Sequence, residues 1–376
     1  MGDPRGLFRA EEIERAHAYH RPLYLVGPAG LAVDVAALAA IAFTGLGEAL
    51  FDPLSGLPWW AQTLLFSAFV LGITTLLTLP LSWWAGYVRE RAWGFSTQSA
   101  RGWAADRAKG LCVGLALGGL ALLGLVGLAR ALPRAWPLVA GAAVAALVVV
   151  LAFVAPLVLE PLFNRFTPLT DEELAGSLRR LASDAGLAVE HVLVADASRR
   201  TTKQNAYVSG LGRTRRLVVY DTLLGQGEPR ELRLVLAHEL GHRRAGHLVK
   251  GTALAAAGAF AFVLALWALL QSEALLSALG ASGPGDPRVV PFVLLAGTVL
   301  QVAAAAPGAA LSRRWEREAD RISLELTADP AAFEQMMRRL ARANLADLDP
   351  PRLVYVAFFS HPTPPERIAA ARAFAG

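Results

Sequence analysis

His238, Glu239 and His242 stand in the order His-Glu-x-x-His, inside the run Arg230–Lys250. The run reads as one helix. Pro229 suits a first helical position, and Leu232, Leu234, Val235, Leu236 and Leu240 supply an apolar face. Residues four apart on a helix lie one turn above each other, so His238 and His242 share a side. Two neutral imidazoles so placed can hold a zinc ion, and Glu239 can reach a water bound to it. On an ordinary amphipathic helix the same five residues would be a solvated polar patch, so the rest of a ligand set has to be found elsewhere.

Zinc in such a site takes a third protein ligand and keeps one position open. His247 follows soon after, but on a continuous helix it lies about 500° of rotation beyond His242. It also misses the longer His-Glu-x-x-His-x-x-Gly-x-x-His pattern, which needs glycine and histidine where this chain has Ala245 and Leu248. His247 therefore reads as a surface histidine. The octet Arg313-Arg314-Trp315-Glu316-Arg317-Glu318-Ala319-Asp320 is the better source. Glu316 and Asp320 are four apart on an expected helix. Glu316 can bind the metal while Asp320 accepts a hydrogen bond from a ligand histidine. Taken alone, the octet is a charge cluster at the end of an apolar span; beside the histidine helix it is a third ligand.

These residues must be positioned by a membrane protein. Of 376 residues, 55% are hydrophobic and 18% charged, and the mean hydropathy is +0.42. That excludes an ordinary soluble globule and points to several spans of a lipid bilayer. The net charge of +5 is carried almost entirely by arginine. No basic run is interleaved with aromatics, so no nucleic-acid partner is expected. The single cysteine, Cys112, excludes a disulfide framework and a cysteine-based metal site.

Candidate spans are Leu23–Phe43, Ala61–Ser82, Gly110–Leu128, Leu138–Leu159, Thr252–Leu270 and Val289–Leu311. The first follows an Arg-bearing lead (Glu11–Arg21) and is longer than a signal-peptide core, so it reads as a retained span. Trp59-Trp60 and Trp83-Trp84 bracket the second span as interfacial anchors. Gly110, Gly114 and Gly118 form a small-residue stripe suited to close helix packing. Asp34, inside the first span, is either a structural hydrogen-bonding group or a functional one. Basic residues gather in the N-terminal lead and in Arg89–Lys109, and are absent from Phe51–Pro58 and Gln271–Pro287. With six spans this places both termini and the histidine helix in the cytoplasm, with Arg130 and Arg134 as the mild exception.

Between the fourth and fifth spans the pattern changes to a soluble α+β unit. Thr170-Asp171-Glu172-Glu173 opens a helix to about Ala185. Val189–Ala195, Asn205–Ser209 and Leu217–Tyr220 read as strands, the last two separated by Gly210-Leu211-Gly212. Arg313–Leu326, Ala331–Ala343 and Pro364–Ala375 read as helices. The fold class expected is mainly α and polytopic, with a small cytoplasmic α+β zinc-metallopeptidase unit of gluzincin type. Its expected parts are residues 1–160, a membrane region of four spans; 161–250, a catalytic part with the histidine helix; 251–312, a transmembrane hairpin; and 313–376, a catalytic part with the third ligand.

Four blocks carry a family resemblance: Asn205-Ala206-Tyr207-Val208-Ser209-Gly210, the His238–His242 motif, Glu316-Arg317-Glu318-Ala319-Asp320, and His361-Pro362-Thr363-Pro364-Pro365-Glu366-Arg367-Ile368. A weaker fifth is the run from Glu160 to Leu169. The chain from about Arg89 onward resembles the type I CAAX prenyl endopeptidases, integral-membrane zinc metallopeptidases that include the heat-shock membrane protease HtpX.

The resemblance implies that His238, His242 and Glu316 bind Zn2+, that Glu239 is the general base, and that Asp320 supports a ligand. It implies that Asn205 and His361 contact substrate near the scissile bond, with His361 helping to stabilise the oxyanion, and that Arg367 supports the site. The prenyl proteases of the family enclose a chamber within seven spans, one more than is read here. Ser198–Gln204 also lacks the histidine that often precedes the Asn205 block in eukaryotic members. The expected activity is peptide-bond hydrolysis at the cytoplasmic face of a bacterial inner membrane. The expected partners are the bilayer and a peptide or protein substrate, membrane-associated or lipid-modified. The alternatives are HtpX-like quality control of membrane proteins and a zinc-binding scaffold without turnover; a transporter would leave the histidine unit unexplained.

Overall fold

The computed structural model describes residues 4–189, 191–210, 215–225 and 228–375. Among them, six helices are long and apolar enough to cross a membrane. Their exposed Leu, Val and Phe side chains suit a lipid surround, while Phe66, Val70, Val126, Trp136, Leu266 and Val290 fill a buried core between them. Asp34 on the first span interacts with the Thr298 side chain on the sixth, which joins two spans. Gly110 and Gly114 do not pack against a helix as the stripe suggests. A Cβ at either would meet nothing within 4 Å, and only Gly118 approaches a neighbour, Leu71. The second and third spans diverge there around a groove of about 1050 Å³.

The soluble unit is built on four strands: β1 (Phe166–Pro168), β2 (His191–Ala195), β3 (Ala206–Ser209) and β4 (Arg216–Tyr220). Their order is β1-β2-β4-β3, with β2 and β4 parallel and the outer pairs antiparallel. Glu190, expected in a strand, and Leu211 and Gly212, expected in a turn, lie outside the described residues. The helix Glu172–Asp184 is capped by Asp171, whose carboxylate accepts from the Leu174 N–H at 2.9 Å. It packs Leu178 and Leu181 against Leu217, Val219, Leu236 and Leu240. Glu160, at the end of the fourth span, accepts from Ser209 and Arg216 and so ties the membrane region to the sheet.

Two helix boundaries differ from those expected, and both matter to the site. The histidine helix is Pro229–Arg244, not a single helix to Lys250. Gly246 takes φ of +71°, a conformation that glycine adopts without the steric cost a Cβ brings. A new helix, His247–Leu269, starts at the next residue as the fifth span. By contrast, the sixth span does not stop at Leu311. One helix runs from Val290 to Thr327, so Glu316 and Asp320 sit on the direct continuation of a membrane helix.

Candidate metal centre and active-site cleft

The histidine helix crosses the sixth-span helix at Gly241. A Cβ at that position would lie 2.9 Å from the Ala319 carbonyl oxygen and 3.1 Å from its Cα. Glycine thus permits a close crossing, and it sets Glu316 opposite the two histidines. His238 Nε2 lies 3.3 Å from Glu316 Oε2, His242 Nε2 lies 3.2 Å from Glu316 Oε1, and the two Nε2 atoms are 3.2 Å apart. Among the described residues this is the group of three whose donor atoms, all within 4.8 Å of one another, can hold a metal ion.

The chemistry of these donors fits a divalent cation. His238 Nδ1 is 2.8 Å from Asp320 Oδ1, which fixes the proton on Nδ1 and turns the Nε2 lone pair toward Glu316. Glu316 Oε2 is buried and makes no hydrogen bond. A lone pair facing a carboxylate is unfavourable unless a cation lies between them. With a proton in that place, the His238 imidazole is raised to about 9. Burial and Arg367 oppose this, but the Asp320 and Glu316 carboxylates outweigh them.

Arg367 grips Asp320 with two nitrogens, Nε reaching Oδ2 at 2.8 Å, and its Nη2 is 3.3 Å from His238 Nδ1. Glu239, next to His238 in the chain, faces a cleft of about 490 Å³ lined by Asn205, His238, Glu239, His361, Pro362 and Arg367. Burial raises the Glu239 carboxyl above the usual carboxylate range, against the pull of His238 and His242. A carboxylate so placed is a good proton acceptor.

His361 projects into the same cleft. Its Nε2 is 3.2 Å from Glu316 Oε1, its Nδ1 is 2.7 Å from the Ser360 hydroxyl, and its side chain is 60% exposed. Arg313 holds the segment before it by donating to the carbonyls of Tyr355 at 2.9 Å and Phe359 at 2.6 Å. In the sequence Arg313 is only one member of a charge cluster, and nothing there marks its burial at the base of the site.

Asn205 stands at the start of β3, its Oδ1 accepting from the Ala206 N–H at 2.9 Å. Its backbone carbonyl accepts from Tyr220 at 3.0 Å, so it faces β4. Alternation along an antiparallel strand then turns the backbone groups of Ala206 and Val208 outward. Arg243 of the histidine helix donates to the Val208 carbonyl, which leaves the Ala206 carbonyl and the Val208 N–H on the open edge.

His247 is not the surface histidine that its spacing suggests. It is 4% exposed, stacked on Trp315 at 5.0 Å and 13°. Its Nδ1 lies 3.0 Å from His242 Nδ1. The break at Gly246 cancels the rotation that a continuous helix would impose. That glycine is the signal in the sequence that could have revealed the contact.

Among known families, a model described as peptidase family M48 matches residues 168–375, and one described as CAAX prenyl protease N-terminal, five membrane helices, matches residues 4–165. The described residues of the second range hold four candidate spans. The chain is 30% identical over 373 residues to the uncharacterized metalloprotease YhfN of Bacillus subtilis, covering 98% of this chain and 87% of that protein. CAAX prenyl protease 1 of Saccharomyces cerevisiae is 35% identical over 193 residues, which is 50% of this chain and 42% of the yeast protein. The crystal structure of S. mikatae Ste24p superposes with a TM-score of 0.87 at 24% identity, covering 99% of this chain and 91% of that one. That likeness shows the fold.

Proposed function

Because this chain belongs to peptidase family M48, a family of metallopeptidases, and carries a membrane region of the CAAX prenyl protease type, we propose that it is a zinc endopeptidase that cleaves membrane-associated peptides beside the bilayer. The observation that carries this reading is the convergence of His238, His242 and Glu316, with an orphaned Glu316 oxygen, on one cleft that also holds Glu239 and His361.

His238, His242 and Glu316 would hold the ion. Asp320 and Arg367 would fix the His238 ring. Bound zinc supplies a Lewis acid and lowers the pKa of water toward about 7. Glu239 takes a proton from the attacking water and passes it to the leaving amine. His361 donates to the oxyanion that develops on the scissile carbonyl. Ala206 and Val208 offer an outward carbonyl and N–H with which an extended peptide can pair, a mode that is tolerant of sequence. Asn205, at the mouth of that edge, contacts the substrate backbone.

The relative named CAAX prenyl protease 1 supports a lipid-modified tail as substrate, and Glu316 stands on the direct continuation of the sixth membrane helix. The basic N-terminal lead and the Arg89–Lys109 segment support placing the site and both termini on the cytoplasmic side, and the Bacillus subtilis relative supports a bacterial inner membrane. Residues 161–250 and 313–376 then form one catalytic unit, joined by the hairpin 251–312 and set on the membrane region 1–160.

Metal analysis of purified protein tests the ligand set. Native protein should hold one zinc per chain, and Glu316→Gln should lose most of it while keeping its helical content. Full zinc in Glu316→Gln would remove Glu316 from the ligands.

A further inference from the structure

The two histidines of the proposed metal site are held by unlike partners. His238 gives its Nδ1 proton to a buried carboxylate, Asp320, which Arg367 holds from the far side. Among the described residues no carboxylate plays that part for His242. Its Nδ1 meets the Nδ1 of another imidazole, His247, at 3.0 Å, and His247 Nε2 reaches Glu318 Oε2 at 3.3 Å.

The proton positions follow from the site. His242 turns Nε2 toward Glu316 and His238; when that nitrogen holds the proposed ion, the ring proton sits on Nδ1. His247 must then accept at Nδ1 and carry its own proton on Nε2, where Glu318 accepts it. Packing locks the His247 ring in this orientation, since it is 4% exposed and lies flat on Trp315, 5.0 Å away at 13°. Trp315 is the neighbour of Glu316 in the chain, and His247 is the first residue of the fifth span.

We propose that His247 is a positioning residue, the middle of a relay from Glu318 through His247 to His242 that sets the tautomer and aim of the second zinc-binding imidazole. It rests on the zinc site proposed above. Because the middle of the relay is the head of the fifth membrane helix, it also fixes that ligand to the fifth span as Glu316 is fixed to the sixth.

The test is the rate at which purified protein in detergent, loaded with zinc, releases the ion to excess chelator. His247→Phe keeps an aromatic ring against Trp315 but accepts no hydrogen bond. It should release zinc about 10–100-fold faster than native, the usual effect of losing a partner of a ligand histidine. His247→Gln, with a carbonyl toward His242 and an amide toward Glu318, should retain zinc close to native. In peptide cleavage, His247→Phe should lower kcat with KM unchanged, because His247 does not line the cleft. Should His247→Phe fail to fold, Glu318→Ala at a partly exposed carboxylate stands in for it, and faster release is again expected. Native-like retention in His247→Phe, or in its stand-in, overturns the relay. So does His247→Gln releasing zinc as fast as His247→Phe. Folded native protein that binds no zinc overturns the relay together with the metal site, and so separates the two failures.

Discussion

At the scale of single residues, the site divides into groups that would touch metal or substrate and groups that aim them. His361 is the most informative of the first kind. Its Nε2 lies 3.2 Å from the buried Glu316 carboxylate, yet its side chain remains 60% exposed and its other nitrogen meets only the exposed Ser360 hydroxyl among the described residues. A donor placed at the mouth of the cleft serves charge that appears only during reaction. His361→Ala is therefore expected to lower kcat by about 10²–10³, the effect of removing one oxyanion donor, with zinc content unchanged. Kinetics and metal analysis on the same preparation check this; loss of zinc would make His361 a ligand instead. Most of the residues proposed to touch metal or substrate are marked in the sequence, by spacing of four on a helix or by the family blocks, and the structure brings His238, His242 and Glu316 together. The aiming residues are less plainly marked. Arg313 and His247 owe their positions to burial and to a helix break at Gly246, and neither property has a periodic signature.

At the scale of elements, two helices make the site, and the distance between them is set by Gly241. Its would-be Cβ meets the Ala319 backbone at 2.9 Å. Gly241→Ala should force the helices apart by some tenths of an ångström and cost about 1–3 kcal/mol, as overpacking does. Glu316 would be drawn back from the histidines. Faster zinc release and a lower melting temperature, read by calorimetry, are the expected result; native values in both would show that the crossing has slack. The helices themselves are largely readable from apolar periodicity and Pro229. Their ends are not. A glycine two residues past a pair of arginines ends one helix, while an Arg-rich stretch that resembles a terminus is carried straight through by the other, from Val290 to Thr327. Strand β1, three residues between Arg165 and Leu169, is too short to show alternation, and only its pairing with β2 defines it.

At the scale of the whole molecule, the catalytic unit is fastened to the membrane region at several points. Glu160 binds Ser209 and Arg216, Arg200 binds Asp106 at 2.7 Å, and Lys203 binds Glu90 at 2.7 Å. The fifth and sixth helices enter the site without a linker. The six spans are plain from hydropathy, as is their alternation with soluble segments. Arg130, which runs against the charge asymmetry, donates to the Gly285 carbonyl at 3.2 Å and packs over Trp59. It holds the end of the third span to the loop that precedes the sixth. The most direct test of the proposed chemistry compares native protein with Glu239→Gln, purified in detergent, each assayed for zinc and offered a prenylated peptide, its unprenylated twin and an unfolded protein. Zinc in both proteins, cleavage by native protein alone and preference for the prenylated peptide are the predicted results. Equal cleavage by Glu239→Gln, or a folded native protein with neither zinc nor activity, would contradict the central claim.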